Sequence, residues 1–172
     1  YYSEMAKRCA LINNENAVAL NRLNDAALTA LILRKLGDAQ ERAIPFFLTV
    51  DSGFAFTGLA THTLCEVMGN LLDNAIEAAA VSGKPDPHVN ITIRPKQEYL
   101  FIHQENSVSD DIPASRRLSL ETTKKDNCEL HGIGTRIIRK IVDAYGGSVK
   151  YAMADGLMTT NVMVELRREE DK

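Results

Sequence analysis

The hydrophobic and polar positions of this 172-residue chain follow two periods, and these periods predict the order of its elements. Apolar residues recur at helical spacing in three stretches: residues 28–39, 64–79 and 137–145. Alternating or short apolar runs, typical of strands, fill five others: residues 45–50, 89–94, 99–106, 148–155 and 158–167. The resulting order predicts an α+β protein, a two-layer α/β sandwich with helices on one face of a mostly antiparallel sheet.

Pro45 separates an N-terminal helical segment from the rest of the chain. Residues 1–44 contain one glycine and no proline, and an asparagine-rich stretch at residues 11–25 suggests a break between two helices. We therefore predict a helical segment at 1–44, followed by an α+β domain at 45–172. The first residues lack both an initiator methionine and a signal-peptide pattern, so we expect a piece of a longer protein.

Composition excludes several classes of function. A net charge of −3 does not favour nucleic-acid binding. The three cysteines show no CxxC spacing, which argues against a disulfide framework or a zinc site and favours a reducing compartment. No apolar run approaches the roughly 20 residues of a membrane span, so we expect no membrane contact by this fragment.

The most informative stretch is LCEVMGNLLDNAIEAA, residues 64–79. On a helical wheel, Glu66, Asn70, Asn74 and Glu77 fall within about 80° of one another, with Asp73 beside them. We call these five residues the polar stripe. Carboxamide and carboxylate oxygens are hard donors suited to Mg²⁺, which often arrives with phosphates attached. The alternative is the ordinary solvated face of an amphipathic helix.

A second stretch, HGIG at residues 131–134, precedes the last predicted helix. Glycines let the backbone approach an anion, and the free N–H groups at a helix start favour phosphate. A simple tight turn is the alternative. Gly83-Lys84 is followed by Pro85, so there is no P-loop, and no GxGxxG follows a strand. The long polar loop before HGIG is typical of a binding loop or lid.

Taken in order, these motifs resemble those of a known superfamily. EVMGNLLDNAIEA (66–78) resembles the N box of the GHKL ATPases, the group of gyrase, Hsp90, histidine kinases and MutL. HGIGTRIIRKIVDAYGG (131–147) resembles its glycine box. TTKKD…HGIG (122–134) and LILRKLGDAQERAI (31–44) are similar to Agr-type, peptide-sensing histidine kinases. The resemblance covers about residues 28–166 and implies the Bergerat ATP-binding fold, with residues 1–44 ending a dimerisation or linker region.

The resemblance also implies roles for single residues. Asn74 would coordinate the Mg²⁺ of bound ATP, and Asn70 would contact phosphate or the water shell of the metal. Lys124 in the lid loop would neutralise phosphate charge, with Lys125 as the alternative. Glu66 and Glu77 would tune this nucleotide site, or they would simply stay solvated.

The glycine box is expected to close over the phosphates. Gly132 and Gly134 would permit a close approach, with Ile133 between them, and His131 would hydrogen-bond to phosphate.

Two departures from the family pattern affect the expected site. The Asp-x-Gly-x-Gly that usually follows the hairpin is absent, and the matching stretch is QENSVSDD. We place the adenine contact on Asn106, whose carboxamide can both accept from and donate to an adenine edge. Counting residue positions along the matching stretch points instead to Glu105. Thr135 stands where the family usually has leucine. The threonine would loosen the loop and weaken nucleotide binding.

The expected function is the ATP-binding catalytic domain of a sensor histidine kinase that passes the γ-phosphoryl group to a histidine. None of His62, His88, His103 and His131 lies on a long N-terminal helix, so the acceptor is expected outside this chain. The implied partners are a response regulator and a second copy bound through N-terminal helices. The implied location is the cytoplasmic part of a membrane-anchored sensor.

Two other functions remain open at this point. One is a standalone GHKL protein, such as an anti-sigma-type serine kinase. The other is a degenerate, non-catalytic dimerisation module.

Overall fold

The computed structural model describes residues 14–51, 60–111 and 133–166. The helices and strands in these ranges are α1 (Asn14–Arg22), α2 (Ala26–Glu41), β1 (Phe46–Val50), α3 (Thr61–Ala80), β2 (Val89–Lys96), β3 (Tyr99–Ser107), α4 (Ile133–Ala144), β4 (Ser148–Ala154) and β5 (Leu157–Glu165). None of the helices in these ranges is both long and apolar enough to span a bilayer.

The strands form one five-stranded sheet in the order β1-β2-β3-β5-β4. The pairs β2–β3, β3–β5 and β4–β5 are antiparallel, whereas β1 runs parallel to β2 and reaches it through α3. Two pairs of consecutive strands, β2–β3 and β4–β5, form antiparallel hairpins. Asp155 and Gly156 link β4 to β5 with φ angles of 52° and 73°, the left-handed backbone that tight hairpin turns require. The predicted α+β class with a mostly antiparallel sheet is therefore confirmed, and the one parallel pair is β1–β2.

One hydrophobic core holds the helices on one face of the sheet. Alternate residues of the central strands, such as Ile91 and Ile102, are buried there against α3. The other face carries exposed positions such as His103 and Asn161. A fully buried stripe on one face of a strand and polar residues on the other is the pattern expected of a sheet covered on one side.

Helices α1 and α2 also bury residues in this core. The chain breaks between them at residues 23–25, as predicted, and the carboxylate of Asp25 caps α2 by accepting a hydrogen bond from the backbone N–H of Leu28 at 2.9 Å. The buried side chains of α2 are Leu28, Ile32, Lys35 and Ala39. The described part of the N-terminal segment thus packs on its own chain. The domain boundary at residues 44 and 45 stays a prediction.

Helix α1 covers the free edge of β1. The Asn16 carboxamide donates to the carbonyl of Phe46 at 2.9 Å and accepts from the N–H of Leu48 at 2.8 Å. The Arg22 guanidinium donates to the carbonyl of Val50 at 2.9 Å. These side chains take the place of a neighbouring strand, so the outer backbone groups of β1 are not left as a template for pairing with another chain.

We expect Asn16→Ala to lower the free energy of unfolding by about 2 kcal/mol, because it removes the partner of two backbone groups at a buried side chain. Urea unfolding followed by circular dichroism measures this change. Asn21→Ala is the matched control, since Asn21 is exposed on the same helix. Equal stability of the two variants would contradict the proposed covering of the strand edge.

Candidate functional site

Helix α3 forms because its sequence has a continuous apolar side. The buried residues of this helix recur at helical spacing and face the core: Leu64, Val67, Met68, Leu71, Leu72, Ala75, Ile76 and Ala79. The side chain of the preceding residue, Ala60, makes no capping hydrogen bond, but the hydroxyl of Thr61 donates to the Asp25 carboxylate at 2.7 Å. The helix extends the predicted segment by one turn at its start.

The polar stripe lies on the opposite side of α3, as the helical wheel predicts. Four of its members are exposed, and Asn70 is half-buried. The Nδ2 of Asn70 donates to the carbonyl of Glu66 one turn earlier, at 2.8 Å. This bond fixes the amide orientation, so that the Oδ1 of Asn70 is the atom presented to the rest of the site.

The start of α4 meets the polar stripe at Gly134. A Cβ built on Gly134 would lie 2.9 Å from the Oδ1 of Asn70 and 3.4 Å from both the Oδ1 and the Nδ2 of Asn74. A side chain at position 134 would therefore require the carboxamide of Asn70 to shift. The two motifs that the sequence places far apart are therefore in direct contact.

Helix α4 is held in this position by its own apolar side. Ile138 and Val142 are buried, and the hydroxyl of Tyr145 lies 3.5 Å from that of Thr63 on α3. The helix begins at Ile133, two residues earlier than the sequence pattern suggested, so Gly134 lies within its first turn. The first N–H groups of a helix have no partner inside the helix and carry the positive end of its dipole. The stripe thus faces a helix start suited to anions.

The end of β3 places the predicted adenine residue on the face that the helices cover. Asn106 is only 2% exposed; its Oδ1 accepts from the Nε2 of Gln104 at 2.7 Å, and its Nδ2 donates to the carbonyl of Ser107 at 3.0 Å. Among the described residues the buried Oε1 of Gln104 has no hydrogen-bond partner. Glu105, the alternative by counting, lies on the other face, 3.4 Å from the Nδ2 of Asn90.

Several predicted residues lie outside the described part of the chain: Lys124, Lys125, His131 and Gly132. The backbone of Ile133 begins α4, and Thr135 is half-buried in its first turn. Of the remaining histidines, His62 is exposed in the first turn of α3, and His103 lies on β3 with its Nδ1 2.8 Å from the Oδ1 of Asn161. Neither belongs to α1 or α2.

Sequence reasoning missed one contact of the polar stripe. Lys35 on α2 is 4% exposed, and its ammonium group forms an ion pair with Asp73 of the stripe. A second carboxylate, that of Asp38, lies 3.4 Å from the same nitrogen. The signal that would have found this contact is the spacing of Lys35 from Leu28 and Ile32, which puts the lysine on the buried side of its helix.

Two titratable groups near these helices are shifted by burial. Burial raises the pKa of the Cys65 thiol on α3, and the negative charge of Asp25 raises it further. Burial raises the pKa of Tyr151 on β4 to about 12, although the nearby Arg139 guanidinium lowers it. Both groups therefore remain protonated at neutral pH, and the thiol is a poor nucleophile there.

The chemistry of the stripe fits a magnesium ion bound to phosphates. Carboxamide oxygens on α3 are hard donors, the start of α4 favours anions, and Gly134 brings that start against both carboxamides. A model of the GHKL domain family matches residues 59–165, which contain both helices. The chain belongs to the GHKL domain family.

One curated relative of this GHKL domain is named as a sensor kinase. A probable C4-dicarboxylate sensor kinase from Halalkalibacterium halodurans is 22% identical over 148 residues, which cover 84% of this chain and 28% of that protein. The chain thus spans little more than a quarter of the length of this curated relative.

Solved structures share the fold of the GHKL domain. The catalytic domain of histidine kinase ThkA is 19% identical with a TM-score of 0.63, and the match covers 86% of this chain and 92% of that one. The mycobacterial sensor histidine kinase MprB is 19% identical with a TM-score of 0.57, covering 82% and 95%. ThkA in complex with the response regulator TrrA is 19% identical with a TM-score of 0.61, covering 84% and 42%. The fold is that of histidine kinase catalytic domains.

We expect Gly134→Ala to displace the Asn70 carboxamide, because the new Cβ would lie 2.9 Å from its Oδ1. The displacement is measured as a shift of the Asn70 side-chain amide signal in ¹⁵N nuclear magnetic resonance spectra. Gly37→Ala on α2 is the control, since its Cβ would meet nothing within 4 Å. An Asn70 signal that is unmoved in Gly134→Ala would show that the two helices are farther apart than described.

Proposed function

We propose that this GHKL domain binds ATP with Mg²⁺ and is the catalytic domain of a sensor histidine kinase. The observation that carries the proposal is the contact of Gly134 with Asn70 and Asn74. It brings the oxygen donors of one helix to the anion-binding start of another, which is the arrangement a metal–triphosphate requires. Family membership and the kinase relatives support the same conclusion.

In this proposal the two asparagines have different tasks. Asn74 is exposed on the stripe and supplies a carboxamide oxygen to the metal, which when bound neutralises phosphate charge. Asn70 presents its Oδ1 beside Gly134 because its Nδ2 is tied to the carbonyl of Glu66. A carboxamide cannot take a proton from water at neutral pH. The site is therefore better suited to transfer to a protein acceptor than to rapid hydrolysis.

The remaining contacts to ATP follow from the family resemblance. We assign the adenine contact to Asn106, and the burial of Asn106 on the helix-covered face supports it over Glu105. Gln104 donates from its Nε2 to the carboxamide of Asn106, and its Oε1 is buried. These two side chains make the end of β3 a polar site on an otherwise apolar face of the sheet. Phosphate contacts are assigned to Lys124 and to residues 131–134 on the resemblance alone.

The proposal assigns the phosphoacceptor histidine and the protein partners to parts outside this chain. Helices α1 and α2 carry no histidine, so we assign the acceptor to a dimerisation helix outside the chain. We propose a response regulator as the downstream partner, since ThkA was solved in complex with one. We also propose that the full-length protein dimerises through N-terminal helices and that this domain lies in the cytoplasm.

The kind of signal that the sensor kinase detects is assigned from two stretches of the sequence. TTKKD…HGIG and residues 31–44 favour the Agr-type, peptide-sensing group. The name of the curated relative refers to C4-dicarboxylates instead. We propose the peptide-sensing group; autophosphorylation of the full-length protein in membranes that responds to a C4-dicarboxylate and to no secreted peptide would refute that assignment.

We expect Asn74→Ala to abolish Mg²⁺-dependent ATP binding without unfolding the chain. The side chain is exposed, and alanine is the better helix former by a few tenths of a kcal/mol, so stability should be unchanged or slightly higher. Titration with a fluorescent ATP analogue, with Mg²⁺ and with EDTA, measures the effect.

Asn161→Ala is the matched control for that titration, because Asn161 is exposed on the opposite face of the sheet. Mg²⁺-dependent binding that persists in Asn74→Ala would remove the central assignment.

We expect the full-length protein to take up the γ-phosphoryl group of labelled ATP as phosphohistidine, which is labile to acid and stable to alkali. The chemical stability of the label separates the candidate functions. Acid-stable phosphoserine on a partner would favour the anti-sigma-type kinase. Absence of both label and nucleotide binding would favour a degenerate module.

A further inference from the structure

Lys35 occupies a position on α2 where an apolar residue is expected. It follows Leu28 and Ile32 and precedes Ala39 on the buried side of the helix, and it is 4% exposed. The apolar Leu33, by contrast, is turned outward and is 38% exposed. Removing an ammonium group from water is costly, so a lysine in such a place requires compensating carboxylates.

Those carboxylates come from two helices. Asp38 belongs to α2 itself, and Asp73 belongs to α3, where it directly precedes Asn74 and follows Asn70 by three residues. The nitrogen of Lys35 is buried, whereas the carboxylates of Asp73 and Asp38 are partly exposed to solvent. An ion pair that joins two helices in this way favours one register, because sliding or rotating either helix breaks it. Apolar contacts alone tolerate small slides more easily.

A second polar contact joins the same two helices at their N-terminal ends. The carboxylate of Asp25 caps α2 with its Oδ1 and accepts from the hydroxyl of Thr61 with its Oδ2 at 2.7 Å. The two attachments are ten residues apart along α2, a distance of about 15 Å in a helix. Contacts at two separated points determine both the position and the rotation of α3 against α2.

The polar stripe has little tolerance for movement. With Gly134 so close to Asn70, a shift of α3 by a fraction of an ångström changes where both carboxamides stand against the start of α4. Misplacement of binding groups by about 1 Å can cost on the order of 100-fold in rate. The register of α2 against α3 is therefore part of the geometry of the site.

We propose that Lys35 is a positioning residue: through its ion pair with Asp73, it sets where Asn70 and Asn74 stand relative to the start of α4. The proposal rests on the proposed function for its effect on ATP. We expect no contact between Lys35 and the nucleotide, because its ammonium group is buried and engaged by two carboxylates. Movement of α2, which precedes the residues matched by the GHKL family model, would reach the metal ligands through this pair.

The test compares Lys35→Met with two other variants. Methionine keeps the unbranched stem and its packing but removes the charge. Lys35→Arg keeps the charge and should restore the wild-type behaviour. Arg94→Met is the control, because it removes an ion pair on the exposed surface of β2. In that pair the Nε of Arg94 lies 3.5 Å from the Oδ2 of Asp51. The measurements are affinity for ATP with Mg²⁺ and with EDTA, the thermal midpoint, and the side-chain amide signals of Asn70 and Asn74.

We expect Lys35→Met to bind Mg·ATP about tenfold more weakly, the usual effect of losing a group that orients a metal ligand. The affinity for ATP in the presence of EDTA should be unchanged. The side-chain amide signals of Asn70 and Asn74 should shift. Arg94→Met and Lys35→Arg should match the wild type. If Lys35→Met fails to fold, Asp73→Asn replaces it, since it removes the partner charge with nearly the same shape and should show the same pattern.

Two outcomes overturn the proposal. One is unchanged Mg·ATP affinity with unmoved amide signals in the folded variant. The other is an equal loss of affinity with Mg²⁺ and with EDTA, in step with a lower thermal midpoint, because that pattern describes a purely structural lysine. If the wild-type chain binds no ATP at all, the proposed function fails, and the amide signals alone decide the positioning role.

Discussion

The contact between the first turn of α4 and the polar stripe of α3 is the constraint on which the site depends. Gly134 is close enough to Asn70 and Asn74 that a side chain there would require the Asn70 carboxamide to shift. The contact exists only because each helix buries its own apolar side on the sheet, α3 along its whole length and α4 through Ile138 and Val142. Hydrophobic burial on one side of each helix thus sets the distance between polar groups on the other.

The sheet supports the helices and also selects which polar side chains face them. Alternation along β3 turns Gln104 and Asn106 toward the helices and Glu105 away from them, so the strand decides which polar side chains are available to a ligand. The parallel pairing of β1 with β2 requires a crossover connection, and α3 is that connection. The helix that carries the candidate metal ligands is therefore placed on the sheet by the topology itself.

The N-terminal helices are integrated into this arrangement rather than appended to it. Helix α1 completes the hydrogen bonding of the edge strand through Asn16, and α2 joins α3 through Asp25 and Lys35. The helical period of α2 was readable in the sequence, and so was the break between α1 and α2. Their docking on their own chain was not, because an amphipathic stripe specifies that a surface is buried without specifying against what. The predicted glycine-box contacts before Ile133 lie outside the described residues.

By itself the sequence determined whatever depends on near neighbours along the chain. Helical and strand periods, the Asp155-Gly156 turn, the cap at Asp25 and the polar stripe all follow from local spacing. Only the tertiary structure decided the parallel β1, the strand edge covered by Asn16, the pairing of Lys35 with Asp73 and the fit of Gly134 against Asn70. Each of these joins groups distant in sequence, and such an approach depends on how whole elements pack, which no local pattern of residue types encodes.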